Sequence, residues 1–89
     1  MGGMLPKQRS DLLTHIVDDE AVVLDRAADN VHRLNITATV IWSQCDGEAS
    51  SQAIAERVAA DFGRAVEEVL PDVVDVLERF RVLGLLEIE

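Results

Sequence analysis

The pattern of apolar and polar residues changes abruptly at Asn35. Val31–Leu34 alternates between the two kinds, as a strand does, whereas the apolar residues of Ile36–Trp42 have the spacing of a helix. Asn35 is a favourable N-cap, because its side-chain oxygen can accept a hydrogen bond from a free N–H group of the first helical turn. The sequence therefore predicts a strand that runs directly into a helix, with no loop between them.

Two more strands are expected before this junction. Asp11–Val17 and Ala21–Asp25 are rich in apolar and β-branched residues, and polar turns separate them from each other and from Val31–Leu34. The first third of the chain is therefore predicted to form a three-stranded antiparallel meander.

The last strand of this meander is a candidate sheet edge. Since side chains alternate along a strand, Val31 and Arg33 are expected on one face. His32 and Leu34 are expected on the other. An edge strand also offers unpaired N–H and C=O groups, which an extended peptide can complete as an added strand.

Two further helices are predicted after the first. Asp46–Gly47 is expected to end the first helix, because Gly readily adopts the left-handed conformation after a last turn. Ser50 or Ser51 is expected to cap the second helix, which runs to about Phe62 and closes at Gly63. The predicted fold is thus α+β and winged helix-turn-helix-like, a three-stranded antiparallel sheet followed by three helices.

The start of the third helix is ambiguous because of Pro71, which is acceptable only in a first helical turn. Either this helix starts near Leu70, or a short turn at Val66–Leu70 leads into it. The helix is expected to run to about Leu83 and to stop at Gly84, before a short extended tail.

The third helix has more apolar residues than one core-facing stripe needs. Its inner face is expected to comprise Val73, Val76, Leu77 and Phe80. One flank beside this face comprises Leu70, Val74, Glu78 and Arg81. Either the meander covers the helix on this side, or a groove is left for a partner, and the neighbouring edge strand favours the groove.

Length and charge limit the possible functions. The 89 residues suffice for a single domain, expected over residues 11–89 and preceded by a flexible N-terminal arm over residues 1–10. The formal net charge is −9, from 17 acidic and 8 basic residues. Such a charge repels nucleic acids and anionic membranes. It suits a basic protein or peptide partner, or it simply keeps the chain soluble, which is the default interpretation.

The sequence also indicates a cytoplasmic protein. No apolar run approaches the ~20 residues that span a bilayer, and the first ten residues lack the apolar segment of a signal peptide. Cys45 is the only cysteine, so neither an intrachain disulfide nor a cysteine-based metal cluster is possible. A buried thiol in a reducing compartment is expected.

No catalytic or metal-binding constellation can be recognised. His15 and His32 lie in predicted strands without the spacing of metal ligands. The serines lack the Gly-x-Ser-x-Gly setting of an activated nucleophile, and no Gly-rich phosphate loop is present. The sequence therefore predicts a protein that is not an enzyme and carries no cofactor or metal.

Two other classes stay open as alternatives. Three strands with three helices also suit a winged-helix DNA-binding regulator, but the third helix is far more acidic than a phosphate-facing surface allows. Its carboxylates are Glu67, Glu68, Asp72, Asp75 and Glu78, against Arg79 and Arg81. The other alternative is an interaction module whose groove is filled by its own dimer mate.

The order of several short motifs resembles the PqqD-like family, whose namesake is the pyrroloquinoline quinone biosynthesis protein D. These motifs are Leu34-Asn35, Thr37-Ala38, Ile41-Trp42 and Asp46-Gly47, then a helix ending in Phe62 and an Asp72-led helix closing on Leu83-Gly84-Leu85. Together these motifs span about Asp11 to Glu87.

The resemblance implies a non-catalytic recognition element for ribosomally made, post-translationally modified peptides. In such domains the leader of a precursor peptide is held as an added strand beside the third strand and against the third helix. The domain presents it to a modifying enzyme, such as a radical S-adenosylmethionine enzyme or a leader peptidase. Carried over by position, the peptide-binding residues are Val31, His32, Arg33, Leu34, Leu70, Val74, Leu77, Glu78 and Arg81.

Overall fold

The three strands and three helices follow one another as predicted. The computed structural model describes residues 5–87. Strands β1 (Leu13–Val17), β2 (Glu20–Asp25) and β3 (Asn30–Arg33) form one antiparallel sheet in that order. The helices that follow are α1 (Ile36–Ser43), α2 (Ser51–Phe62) and α3 (Val66–Val82). The predicted α+β meander followed by three helices is confirmed.

The turn between β1 and β2 is a tight hairpin. Asp18 and Asp19 have φ angles of 52° and 66°, which is the left-handed region for both residues. Asp tolerates this region better than most residues because its short polar side chain bonds locally. Two such residues match the twist of the flanking strands, so they set the register of the pair.

The junction of β3 with α1 forms as the sequence predicts. The Asn35 side chain accepts a hydrogen bond of 2.8 Å from the N–H of Ala38. Thr39, one turn into the helix, ties the junction to the sheet. Its hydroxyl accepts from the N–H of Ala21 at 2.8 Å and donates to the carbonyl of Leu34 at 3.3 Å.

The ends of α1 and α2 differ in how well they were predicted. Ser50 caps α2 by accepting from the N–H of Ala53, and Gly63 adopts the left-handed conformation at its end. Helix α1, however, ends three residues before Asp46, because the N–H groups of Gln44 and Cys45 turn back to carbonyls three residues earlier. Gly47 lies in the following loop with a φ of 83°.

Both expectations for the start of α3 were wrong. The helix begins at Val66 and continues through Pro71 without a break. Pro71 lacks the N–H that would bond the carbonyl of Glu67, so one bond is lost in the second turn. Acidic residues in the first turn and basic residues in the last turn complement the helix dipole and favour the longer helix.

The core lies where α1 packs between the sheet and the other helices. Trp42 of α1 contacts Phe80 of α3 edge to face, with ring centroids 5.2 Å apart. Its indole N–H also donates to the Thr14 hydroxyl of β1 at 3.0 Å. Trp42 therefore connects the sheet to α3 through the centre of the molecule.

Residues 5–10 depart from the predicted flexible arm, while residues 1–4 of that prediction lie outside the described residues. Gln8 forms a β-bridge with Leu86, and the N–H of Glu87 donates to the carbonyl of Lys7 at 2.8 Å. The Arg9 guanidinium binds the buried Asp25 carboxylate at 3.0 Å and the Gly84 carbonyl at 2.9 Å. Pairing with distant segments therefore holds this stretch in place.

Within the described part of the chain, no helix has the length and apolar character needed to cross a membrane.

Candidate functional site

One side of β3 has no neighbouring strand among residues 5–87, because the sheet order is β1-β2-β3. The N–H of Leu34 donates to the carbonyl of Ala21 at 2.9 Å. Hydrogen-bonded pairs alternate along an antiparallel ladder, so His32 also directs its main-chain groups at β2. The N–H and C=O groups of Val31 and Arg33 therefore point outward at the open edge.

The side chains of β3 divide between the two faces as predicted. His32 lies opposite Val23 of β2 and shares its inner face with Leu34, which is buried. Val31 is 64% exposed and lies on the outer face, as does the exposed Arg33. The side chains of the edge strand that face the helical layer are consequently His32 and Leu34.

His32 has an unsatisfied polar atom at this edge. Its Nε2 is buried and has no hydrogen-bond partner among the described residues, although the residue as a whole is only half-buried. A buried polar group without a partner is costly, and native structures contain few of them. A ligand that brings a polar group to this position would remove the cost.

Four of the five predicted helix residues line one cavity. This terminal cavity has a volume of about 590 Å³ and is lined by Val74, Leu77, Glu78 and Arg81 of α3, with Asp75, Pro6, Ser51, Leu86 and Glu87. Leu70 is not part of it and packs against the core instead. No residue of β3 lines it either. The helix and strand residues that the sequence grouped together therefore do not share this cavity.

The charged residues of this flank are paired with each other. The Arg81 guanidinium donates two hydrogen bonds, of 2.6 and 2.8 Å, to the Glu78 carboxylate. These bonds hold the pKa of Glu78 below its usual value and raise the pKa of Arg81. Both side chains keep their charge, and neither adds a net charge to the cavity.

The opposite flank of α3 faces the part of α1 that follows β3. A smaller cavity of about 200 Å³ is lined there by Thr37 and Ile41 of α1, with Val69, Asp72 and Val73 among its other residues. Thr37 follows the end of β3 by four residues, so this flank is beside the strand–helix junction.

Val76 and Leu83 continue this flank, at seven and fourteen residues from Val69. We call Val69, Val76 and Leu83 the strand-side flank. Val76 is half-buried and Leu83 is exposed, so apolar surface remains available on it. No Cα atom of β3 lies within 8 Å of one in α3, so the two elements are not packed together.

The sequence could not distinguish the two flanks of α3. Hydrophobic spacing marks both as apolar, and which flank turns toward β3 depends on how α1 and α2 orient the helix. Pro6 and Leu86 were also missed as lining residues, since their pairing is between distant segments. The short extended tail after Gly84 was the only sequence signal for Leu86.

The residue type best suited to nucleophilic chemistry, cysteine, lies outside these surfaces. Cys45 is buried, and burial raises the pKa of its thiol to about 12. Over residues 5–87, no group of three or more His, Cys, Asp or Glu side chains is arranged to hold a metal ion.

Comparison with known proteins gives one family and two solved structures. Residues 20–86 match the family model of coenzyme PQQ synthesis protein D (PqqD). No curated protein matches the chain significantly. The structure of TbiB1 in complex with the TbiA(beta) leader peptide has a TM-score of 0.81 and 23% identity, covering 91% of this chain and 94% of that one. The structure of lasso peptide synthetase B1 complexed with the leader peptide has a TM-score of 0.80 and 17% identity, covering 94% of this chain and 99% of that one.

Proposed function

The chain belongs to the family of coenzyme PQQ synthesis protein D (PqqD), and we propose on that basis that it binds the leader of a ribosomally made precursor peptide. It acts as a non-catalytic element that presents the peptide to a modifying enzyme. The two similar structures support this proposal, since both are described as complexes with leader peptides. The observation in this chain that carries it is the open edge of β3.

The leader adds to the sheet as a fourth strand. Its main chain pairs with the outward N–H and C=O groups of Val31 and Arg33, at about 0.5–1.5 kcal/mol net for each hydrogen bond. The existing bonds between β3 and β2 are not disturbed, because they use the alternate residues of the strand. This mode supplies affinity that is largely independent of the leader sequence.

Selectivity comes from the side chains on the inner face of the added strand. There they meet His32 and the strand-side flank of α3, where Val76 and Leu83 offer apolar surface. A leader group that hydrogen-bonds to His32 Nε2 would satisfy that buried atom. Because side chains alternate along a strand, we expect every second leader residue to be apolar and to face α3, and the residues between them to be polar and to face solvent.

The proposal extends to the partner enzyme, the location and the oligomeric state. The partner enzyme is of the kind that acts on leader-bearing precursors, a radical S-adenosylmethionine enzyme or a leader peptidase, and the chain works in the cytoplasm as a monomer or homodimer. The rival role of a DNA-binding regulator is disfavoured by the exposed carboxylates of α3, of which Asp72, Asp75 and Glu78 face solvent.

Amide hydrogen exchange tests the proposed strand addition. The probe is a synthetic leader peptide, taken from any short open reading frame found beside the gene for this chain, added in excess to the ¹⁵N-labelled protein. We expect exchange at the Val31 and Arg33 amides to slow on binding, because each N–H gains an acceptor. Ile16 provides the internal control, since its main chain faces the unpaired edge of β1.

Two results would contradict this mode. One is protection at Ile16 with none at Val31, which would move the peptide to the β1 edge. The other is tight binding of the leader that leaves the exchange rates of both strand edges unchanged.

A further inference from the structure

The terminal cavity, lined by α3 and by residues near both chain ends, lies on the flank of α3 turned away from the strand–helix junction. Its apolar wall comes from Val74 and Leu77 of α3 together with Pro6 and Leu86. Pro6 and Leu86 are themselves buried, whereas Val74 is 47% exposed and lies at the opening. A volume of about 590 Å³ lies within the usual range of ligand pockets.

The wall opposite α3 is held by hydrogen bonds between distant segments. The N–H of Gly47 donates to the carbonyl of Pro6 at 2.9 Å, and the N–H of Arg9 donates to the carbonyl of Leu85 at 3.1 Å. The Arg9 guanidinium further binds both Asp25 and Gly84. The shape of the cavity therefore depends on the folded domain as a whole and not on a loose tail.

The charge around this cavity is negative. Arg81 is neutralised by Glu78, and Lys7 lies 4.0 Å from Glu87. Asp75, the remaining carboxylate of the lining, makes no salt bridge with a described residue. Together with a chain charge of −9, this favours an occupant that carries Lys or Arg next to apolar side chains.

We propose that the terminal cavity docks a basic segment with apolar anchor residues from a partner protein, at the same time as the leader occupies the β3 edge. Simultaneous binding is possible because the two sites use opposite flanks of α3. The identity of the partner as the modifying enzyme rests on the proposed function, whereas the site itself does not. Docking there would hold the enzyme beside a leader-bound chain without competing for the leader.

The probes are two synthetic peptides, acetyl-KLLKALLK-amide and its acidic counterpart acetyl-ELLEALLE-amide, titrated against the ¹⁵N-labelled protein. We expect the basic peptide to shift the amide resonances of Val74, Leu77 and Leu86, and the acidic peptide to leave them in place. The synthetic leader peptide used in the exchange experiment is titrated separately, to follow the β3 edge.

Matched variants separate docking from general charge attraction. Val74→Lys and Asp75→Lys should each weaken the basic peptide by about tenfold or more, which corresponds to about 1.4 kcal/mol. Val82→Lys makes the same charge change at a residue on α3 that is 70% exposed and outside the cavity lining. Asp61→Lys is the control for Asp75→Lys, because it makes the same charge change at an exposed position of α2. Both controls should stay within about twofold of the wild type.

Equal losses in the variants and their controls would overturn the inference, since the attraction would then be unspecific. It would also be overturned if Val74→Lys, while folded by circular dichroism, abolished leader binding, because the cavity would then belong to the leader site. That second result leaves the proposed function standing. Conversely, a chain that binds the basic peptide at the cavity but does not bind its leader supports the cavity and contradicts the proposed function.

Discussion

Replacing Val31 by proline tests the open edge of β3 most directly. The main-chain N–H of Val31 points away from β2, so proline removes a donor that the free chain does not use within the sheet. Proline is tolerated on edge strands when the missing N–H faces solvent. The substitution should therefore leave the fold intact and remove one hydrogen bond from the complex with a leader peptide.

The expected magnitude follows from that one bond. A net contribution of about 0.5–1.5 kcal/mol corresponds to a loss of affinity of roughly 2- to 13-fold. The side chain contributes little to this loss, because Val31 is 64% exposed on the face turned away from the helices. Loss of the valine is therefore not expected to remove an inner-face pocket for the leader.

Titration calorimetry with the synthetic leader measures the effect, and urea unfolding measures the stability. Two matched variants complete the series. Ile16→Pro removes an outward N–H from the β1 edge and should leave the affinity unchanged. His32→Pro removes an N–H that faces β2 and should lower the stability of the free chain. Full affinity in a folded Val31→Pro variant, or an equal loss in Ile16→Pro, would refute strand addition at β3.

Three further predictions concern the scaffold. Asp25→Ala should lower the free energy of unfolding by about 1.5–3 kcal/mol in a urea titration, because it removes a carboxylate that is 3% exposed and bonded to Arg9. The control Asp61→Ala, at an exposed position, should change the free energy of unfolding by less than about 0.5 kcal/mol. Asn35→Ala should lower it by about 0.5–2 kcal/mol through loss of the cap of α1, and Asn35→Gly by less, so equal effects of the two would contradict the cap. For Cys45, a pKa of about 12 keeps the thiol protonated, so iodoacetamide at pH 8 should label the folded chain far more slowly than the urea-unfolded chain. Because the folded pKa lies above the ordinary thiol value of 9.0, the contribution of Cys45 to stability is present below pH 9 and is lost between pH 9 and 12. Rapid labelling of the folded chain at pH 8 would contradict the burial of this thiol.

Local signals in the sequence account for most of the fold. Asn35 and Ser50 cap their helices, and Gly63 ends one, because each acts on backbone groups within four residues of itself. The prediction failed at Pro71 because it allowed proline only in a first helical turn. It did not weigh the one lost hydrogen bond against the packing of the whole helix. The packing of a seventeen-residue helix outweighs that cost.

The candidate site was only partly predictable, for a related reason. That β3 is an edge strand followed from the order of the strands along the chain. The orientation of α3 did not, because the rotation of a helix about its axis is fixed by the neighbours that pack on it. The sequence groups Val74 and Arg81 with β3 in one groove, and in the structure they line a cavity completed by Pro6 and Leu86, to which no residue of β3 contributes.

The direct passage from β3 into α1 has a mechanical consequence. If β3 slid by one residue, Asn35 would leave the N-cap position and the first turn of the helix would unwind. Thr39 would also lose its bonds to Ala21 and Leu34. The register of β3 is therefore fixed before binding and cannot adjust to the incoming chain. Nearly all of the entropy lost on association must come from the leader, so stiffening the leader should be the most effective way to tighten the complex.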